Sequence, residues 1–158
     1  MSKKRYSTEA MAAAVHEAYE GIENNHGGPF GAVVVNAETG EIVGRGHNRV
    51  LDKHDPTCHG EMEAIRDACK NLGTHDLSGY DIYTTGEPCP MCLGAIMWAN
   101  INDICYGCTK KDTDKIGFRD DEFYKRIEEG DIGKCHEEFR RLSMGVYKRY
   151  KELNRERY

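Results

Sequence analysis

The chain has 158 residues, of which 39% are hydrophobic and 31% charged, with a formal net charge of −5. That length and balance suit one globular domain with its own core and exclude a disordered or fibrous chain. No apolar run approaches the ~20 residues needed to cross a bilayer, and the acidic balance argues against a general nucleic-acid binder.

The amino-terminal stretch MSKKRYSTEAMAAAV is basic, then alanine-rich, and is followed at once by His16 and Glu17. It reads as the start of an amphipathic helix and not as a signal peptide, which places the protein in the cytoplasm. Seven cysteines, odd in number and irregularly spaced, make a poor disulfide framework; in a reducing compartment, clustered Cys and His point to metal or catalysis.

A helix is expected from about Thr8 to Asn24, capped by Ser7 or Thr8, with Met11, Val15, Ala18 and Ile22 at helical spacing. NNHGGP stops it. FGAVVVN reads as a strand, AETG as a turn and EIVGRGHN as its hairpin partner. The loop LDKHDPT leads to a helix that starts near Cys58 or His59 and ends around Asn71, before Gly73. YDIYTT is a strand, CPMCLGAIMWA a helix and NDICYGC a further strand. Residues 118–134 read as loop and short helix, and a last helix runs from about His136 to Glu152. Strand–helix–strand order implies parallel pairing and an α/β sandwich, and the lack of repeats or linkers implies a single domain over 1–158. From Arg140 to Tyr158, seven Lys/Arg face two Glu; this basic tail is either a solvated helix face or a phosphate-contacting surface.

Cys89 and Cys92 sit three apart at a helix start, with Pro88 before them and Pro90 between them. Proline is tolerated there because the first amides lack intrahelical partners. The spacing puts both sulfurs on one face, and the helix dipole favours thiolates. Alone, such a pair fits redox exchange as well as zinc. His59 also opens a helix, thirty positions earlier, with Glu61 two residues on. One His and two Cys leave the fourth tetrahedral position of a zinc ion for water, the pattern of a catalytic site. Glu61 then serves as a carboxylate that takes a proton from that water and passes it on. Glu63 competes for that role, although a paired surface carboxylate describes it better. Cys58 is too close to His59 to chelate with it without strain. Cys105 and Cys108 would point to opposite faces of a strand.

His59-Gly60-Glu61 and Pro88-Cys89-Pro90-Met91-Cys92 together form the H-x-E…P-C-x-x-C signature of zinc deaminases. The chain resembles the cytidine-deaminase-like superfamily and, within it, the small bacterial guanine deaminases, from roughly Glu9 to Tyr124. The resemblance implies a three-layer α/β/α sandwich with a mixed central sheet, one Zn2+ per subunit on His59, Cys89 and Cys92, and hydrolysis of guanine to xanthine and ammonia. Deamination of another aminopurine, a nucleoside or adenosine in tRNA is the alternative. It also implies that Phe30 of GGPFGAVVV stacks on the purine and that Asn48 of GHN hydrogen-bonds the ring. KKDTDKIGFRDDEFYKRI resembles the guanine-deaminase version of that segment, so that Asp112 falls on an aspartate that helps carry a proton to the departing amine, with Asp114 as a near alternative. Gly60 replaces the usual alanine of H-A-E and touches the flat substrate. Tyr158 matches a terminal tyrosine that closes the active site, often from a swapped partner, which implies a homodimer with an exchanged C-terminal segment. The family's fifth strand has no clear counterpart in GKCHEEFRR, which is charged and poor in strand formers.

Overall fold

The computed structural model describes residues 5–158. Its contacts gather into two units, Met1–Tyr124 and Lys125–Tyr158. In the first unit the order is α1 (Thr8–Glu23), β1 (Gly31–Asn36), β2 (Ile42–His47), α2 (Val50–Lys53), α3 (Gly60–Leu72), β3 (Tyr80–Gly86), α4 (Pro90–Trp98), β4 (Asp103–Cys108), α5 (Lys110–Lys115) and α6 (Asp120–Glu128), within which the unit ends. The second unit holds α7 (Arg140–Leu153).

The sheet runs β2-β1-β3-β4. The β1/β2 hairpin is antiparallel, β1 and β3 are antiparallel, and β3 and β4 are parallel. The parallel pairing inferred from strand–helix–strand order therefore holds across α4 alone. Alternate side chains of β1 enter opposite cores. Ala32 and Val34 pack with Ala64, Ala68, Leu77, Ile82, Ile96 and Ala99; Val33 and Val35 pack with Ala10, Ala14 and Tyr83. Helices thus cover both faces of a mixed sheet, the expected three layers, and continuous apolar sequence in β1 follows from burial on both sides.

The helix ends follow local chemistry. The hydroxyl of Ser7 accepts from the Ala10 amide at 3.1 Å to cap α1. Gly73, at φ +66°, ends α3. The buried stripe of α1 is Ala10, Ala14, Ala18 and Gly21, not Met11, Val15 and Ile22. Size explains this difference. A Cβ on Gly31 would lie 2.1 Å from the Ala14 carbonyl oxygen, so α1 rests on the backbone of β1, and only its smallest side chains fit between.

No fifth strand forms among the described residues; residues 131–139 are irregular. In the second unit α7 begins four residues later than expected and has no buried residue. Leu142, Val146, Tyr150 and Leu153 recur along it at helical spacing.

Candidate active site

His59 and Cys89 are the residues immediately before α3 and α4, both in extended backbone conformation (ψ 159° and 168°). Pro90 follows at the first helical position of α4. Cys92, one turn into α4, is buried with Cys89. The two helix starts converge: His59 Nδ1 lies 3.5 Å from Cys89 Sγ and 3.6 Å from Cys92 Sγ. All three donor atoms fall within 4.8 Å of one another, the one such His/Cys/Asp/Glu group among the described residues. Zinc bonds of about 2.3 Å to sulfur and about 2.0–2.1 Å to nitrogen, opened to a tetrahedral angle, separate two donors by about 3.6 Å. The donor set and its spacing therefore fit zinc.

The electrostatics agree with a site built to receive a cation. The Cys89 thiol is drawn down to about 4, by its hydrogen bond with Cys92 and then by that with His59. Cys92 is pushed up as it holds the shared proton. His59 is raised by its hydrogen bond to Cys89. Glu61, on the first turn of α3, is buried beside these groups. Its carboxyl is raised mainly because burial disfavours the charged form.

The decoys fall outside this group. Glu63 is engaged by Lys53 and Arg66, each at 2.7 Å. Cys58 accepts from Arg66 Nη1 at 3.6 Å. Cys105 packs under α1, and Cys108 is exposed.

Phe30 lies at the end of the GGP loop, its ring edge-on to Phe118 with centroids 4.9 Å apart. A Cβ on Gly86 would touch the Phe30 ring at 3.4 Å. Asn48 is buried. Its backbone amide donates to the Phe30 carbonyl at 2.9 Å, and its Oδ1 accepts from the Val50 amide at 3.0 Å. Its Nδ2 makes no hydrogen bond among the described residues. Gly60 is buried where a Cβ would come 2.9 Å from the Phe30 carbonyl oxygen. The missing side chain therefore allows a close approach between the start of α3 and the entry to β1, beyond the backbone freedom expected of glycine.

Asp112, expected to help carry a proton to the departing amine, is exposed, and its carboxylate accepts from the Thr109 amide at 2.8 Å and hydroxyl at 3.0 Å, while Thr109 accepts from the Asp112 amide. This is a capping box that starts α5. Asp114 is exposed as well. The carboxylate that senses the metal-ligand group is Asp120, half-buried at the head of α6. It is raised first by burial and then by the negative charge of Cys89, with His59 acting the other way. Asp120 and the Phe118 ring both lie in the GFRDD segment of the sequence. Tyr124, one turn beyond Asp120, donates its hydroxyl to the Pro88 carbonyl at 2.5 Å, which ties α6 to the cysteine motif. Tyr158 ends the second unit and is exposed.

Residues 4–108 match the cytidine and deoxycytidylate deaminase zinc-binding region. A guanine deaminase of Bacillus subtilis (strain 168) is 47% identical over 118 residues, 75% of this chain and 74% of that protein. The X-ray structure of guanine deaminase from Bacillus subtilis superposes with a TM-score of 0.89 at 36% identity, covering 98% of this chain and 99% of that one. A tRNA-specific adenosine deaminase of Aquifex aeolicus (strain VF5) is 38% identical over 101 residues, 64% of this chain and 65% of that protein.

Proposed function

The chain belongs to the zinc-binding cytidine and deoxycytidylate deaminase family, and from that premise we propose that it hydrolyses guanine to xanthine and ammonia. The observation that carries the reading is the set of three converging zinc donors, His59 Nδ1, Cys89 Sγ and Cys92 Sγ, with the buried carboxyl of Glu61 beside them. Zinc held there acts as a Lewis acid that makes water nucleophilic at neutral pH.

The chain's own groups perform the rest. Phe30 offers a flat face for the purine, backed edge-on by Phe118. Asn48 turns its Nδ2 toward the ring as a donor. Gly60, without a side chain, lets the start of α3 lie against the Phe30 backbone and so sets the height of the Phe30 ring beside the zinc donors. Glu61 takes one proton from the attacking water and delivers it to ring nitrogen N3 as the oxygen bonds to C2. The second water proton goes to the exocyclic nitrogen, and the C2–N bond breaks to release ammonia. Asp120 stands as the second carboxylate for that transfer, in place of Asp112.

We read residues 1–158 as one cytoplasmic deaminase domain. The apolar stripe of exposed α7 and its basic charge suit packing on a second, acidic copy, giving a homodimer that delivers Tyr158 to the active site. The guanine-deaminase reading is favoured over the tRNA one by the extent of the likeness: the superposition covers 98% of the chain, whereas the tRNA-specific relative aligns with 64% of it.

Ammonia release from guanine by the zinc-loaded protein, with Glu61→Gln beside it, tests the reading. Turnover lost in the variant, with zinc retained, is the expected result. A wild type that binds zinc but releases no ammonia from guanine overturns the substrate. Deamination of adenosine in tRNA, with binding that weakens steeply with salt, would replace it.

A further inference from the structure

A second polar array lies on the sheet side of the purine-facing residues. Glu17 of α1 meets the ring of His47, the last residue of β2, with Oε2 2.7 Å from Nδ1. The other nitrogen of that ring, Nε2, lies 2.8 Å from Nδ1 of His26. The two imidazoles are parallel within 9° with centroids 5.1 Å apart. A nitrogen–nitrogen contact of 2.8 Å is too short for stacked faces, so the rings meet edge to edge through a hydrogen bond. The array is sheltered: the side chains of His47 and Glu17 are 9% and 15% exposed. It is also fitted, because a Cβ on Gly21 would strike the His47 ring at 2.8 Å.

The chemistry fixes the direction of the chain. An ionised Glu17 only accepts, so a neutral His47 carries its proton on Nδ1 and presents Nε2 as an acceptor. His26 must then donate from Nδ1. Carboxylate, imidazole and imidazole are thereby set in one tautomeric order, as a carboxylate orients a histidine in metal and catalytic sites.

What this chain holds is the pair of segments that carry Phe30 and Asn48. Asn48 follows His47 directly. His26 opens the GGPF turn, its carbonyl accepting from the Leu51 and Asp52 amides at 3.0 and 3.2 Å and its amide donating to Gly21 at 2.9 Å. The next residue, Gly27, presses on Asn48, since a Cβ there would lie 2.1 Å from Oδ1. Turn and strand end are thus fixed to each other and to α1.

We infer that Glu17, His47 and His26 form a positioning relay that sets the Phe30 ring and the Asn48 amide for purine binding. The inference rests on the reading above that these two residues face the base. It predicts an effect on substrate binding and little on the chemical step, because among the described residues none of the three groups hydrogen-bonds to a zinc ligand or to Glu61.

The experiment compares His26→Leu with His26→Asn on whichever aminopurine the wild type deaminates, with zinc content measured in each. Asparagine keeps an N–H donor near the position of Nδ1; leucine does not. Losing one hydrogen bond that orients a binding group is worth about a tenfold rise in KM, so His26→Leu should raise KM by about tenfold with kcat within about twofold. His26→Asn should stay within about threefold of wild type in KM, and Glu17→Leu, which removes the acceptor for His47 Nδ1, should resemble His26→Leu. Equal KM values for the Leu and Asn variants overturn the relay, as does a fall in kcat at unchanged KM. A wild type inactive on guanine but active on another aminopurine would refute the substrate and leave this comparison intact.

Discussion

Replacing Gly31 by alanine tests the packing that places both the sheet and the relay. The new Cβ would lie 2.1 Å from the Ala14 carbonyl oxygen, 2.6 Å from the Ala18 amide nitrogen and 3.1 Å from Glu17 Cβ. The first of these is about 1 Å short of an ordinary carbon–oxygen contact. Both nearest atoms are backbone in mid-helix, so no side-chain rotation relieves them and α1 must move off the sheet. That opens the layer between Ala10 and Ala14 on the helix and Val33 and Val35 on β1. Overpacking of this kind costs about 3 kcal/mol, which for a chain of this length lowers the melting temperature by about 6–12 °C. The assay is thermal unfolding followed by circular dichroism at saturating zinc. Gly94→Ala is the control: Gly94 sits inside α4 with nothing within 4 Å of a new Cβ, and alanine there should stabilise by about 0.5–1 kcal/mol through helix propensity. A Gly31→Ala protein that melts within about 2 °C of wild type would refute the close contact between α1 and β1.

Three further substitutions address the site. Asp120→Asn should lower kcat by about a hundredfold or more, the range for losing a positioned proton-transfer group, whereas Asp112→Ala should cost about 1 kcal/mol of stability through the α5 cap and leave kcat within about twofold; steady-state ammonia release with both proteins decides, and the opposite order would restore Asp112. Tyr124→Phe removes the hydroxyl bonded to Pro88, a group whose own pKa is pushed up to about 12 by burial, and should lower kcat by about tenfold with zinc content intact, as loss of one anchoring hydrogen bond allows. Wild-type kcat in that variant would show that α6 keeps its place by other contacts.

The zinc donors were legible because each lies in a short motif whose helix-start chemistry is local. The fold class was legible from the alternation of turns, strands and helices. Asp112 and Asp120 lie in one stretch of sequence, and the capping box that Asp112 completes, Thr109-Lys110-Lys111-Asp112, is itself a local pattern that marks a helix start. Asp120 needs the path of the chain through α5, which spacing alone does not supply. Which stripe of α1 is buried does not follow from helical spacing alone, because an interface against glycine selects the smallest side chains. Glu17, His26 and His47 are far apart in sequence, so nothing local joins them. Their meeting depends on where β2 ends against α1.

His59 and Cys89 approach to 3.5 Å across thirty positions of chain. Any ion held between them is a crosslink as well as a reagent, closing a loop that includes α3, β3 and their connection. In polymer terms, tying the ends of a thirty-residue loop removes about 3–4 kcal/mol of entropy from the unfolded ensemble, by the same relation that applies to a disulfide. The cytidine-deaminase fold thus places its chemistry where one metal bond set can also restrict the coil, so that loss of the ion loosens the chain between the two helix starts as it ends catalysis.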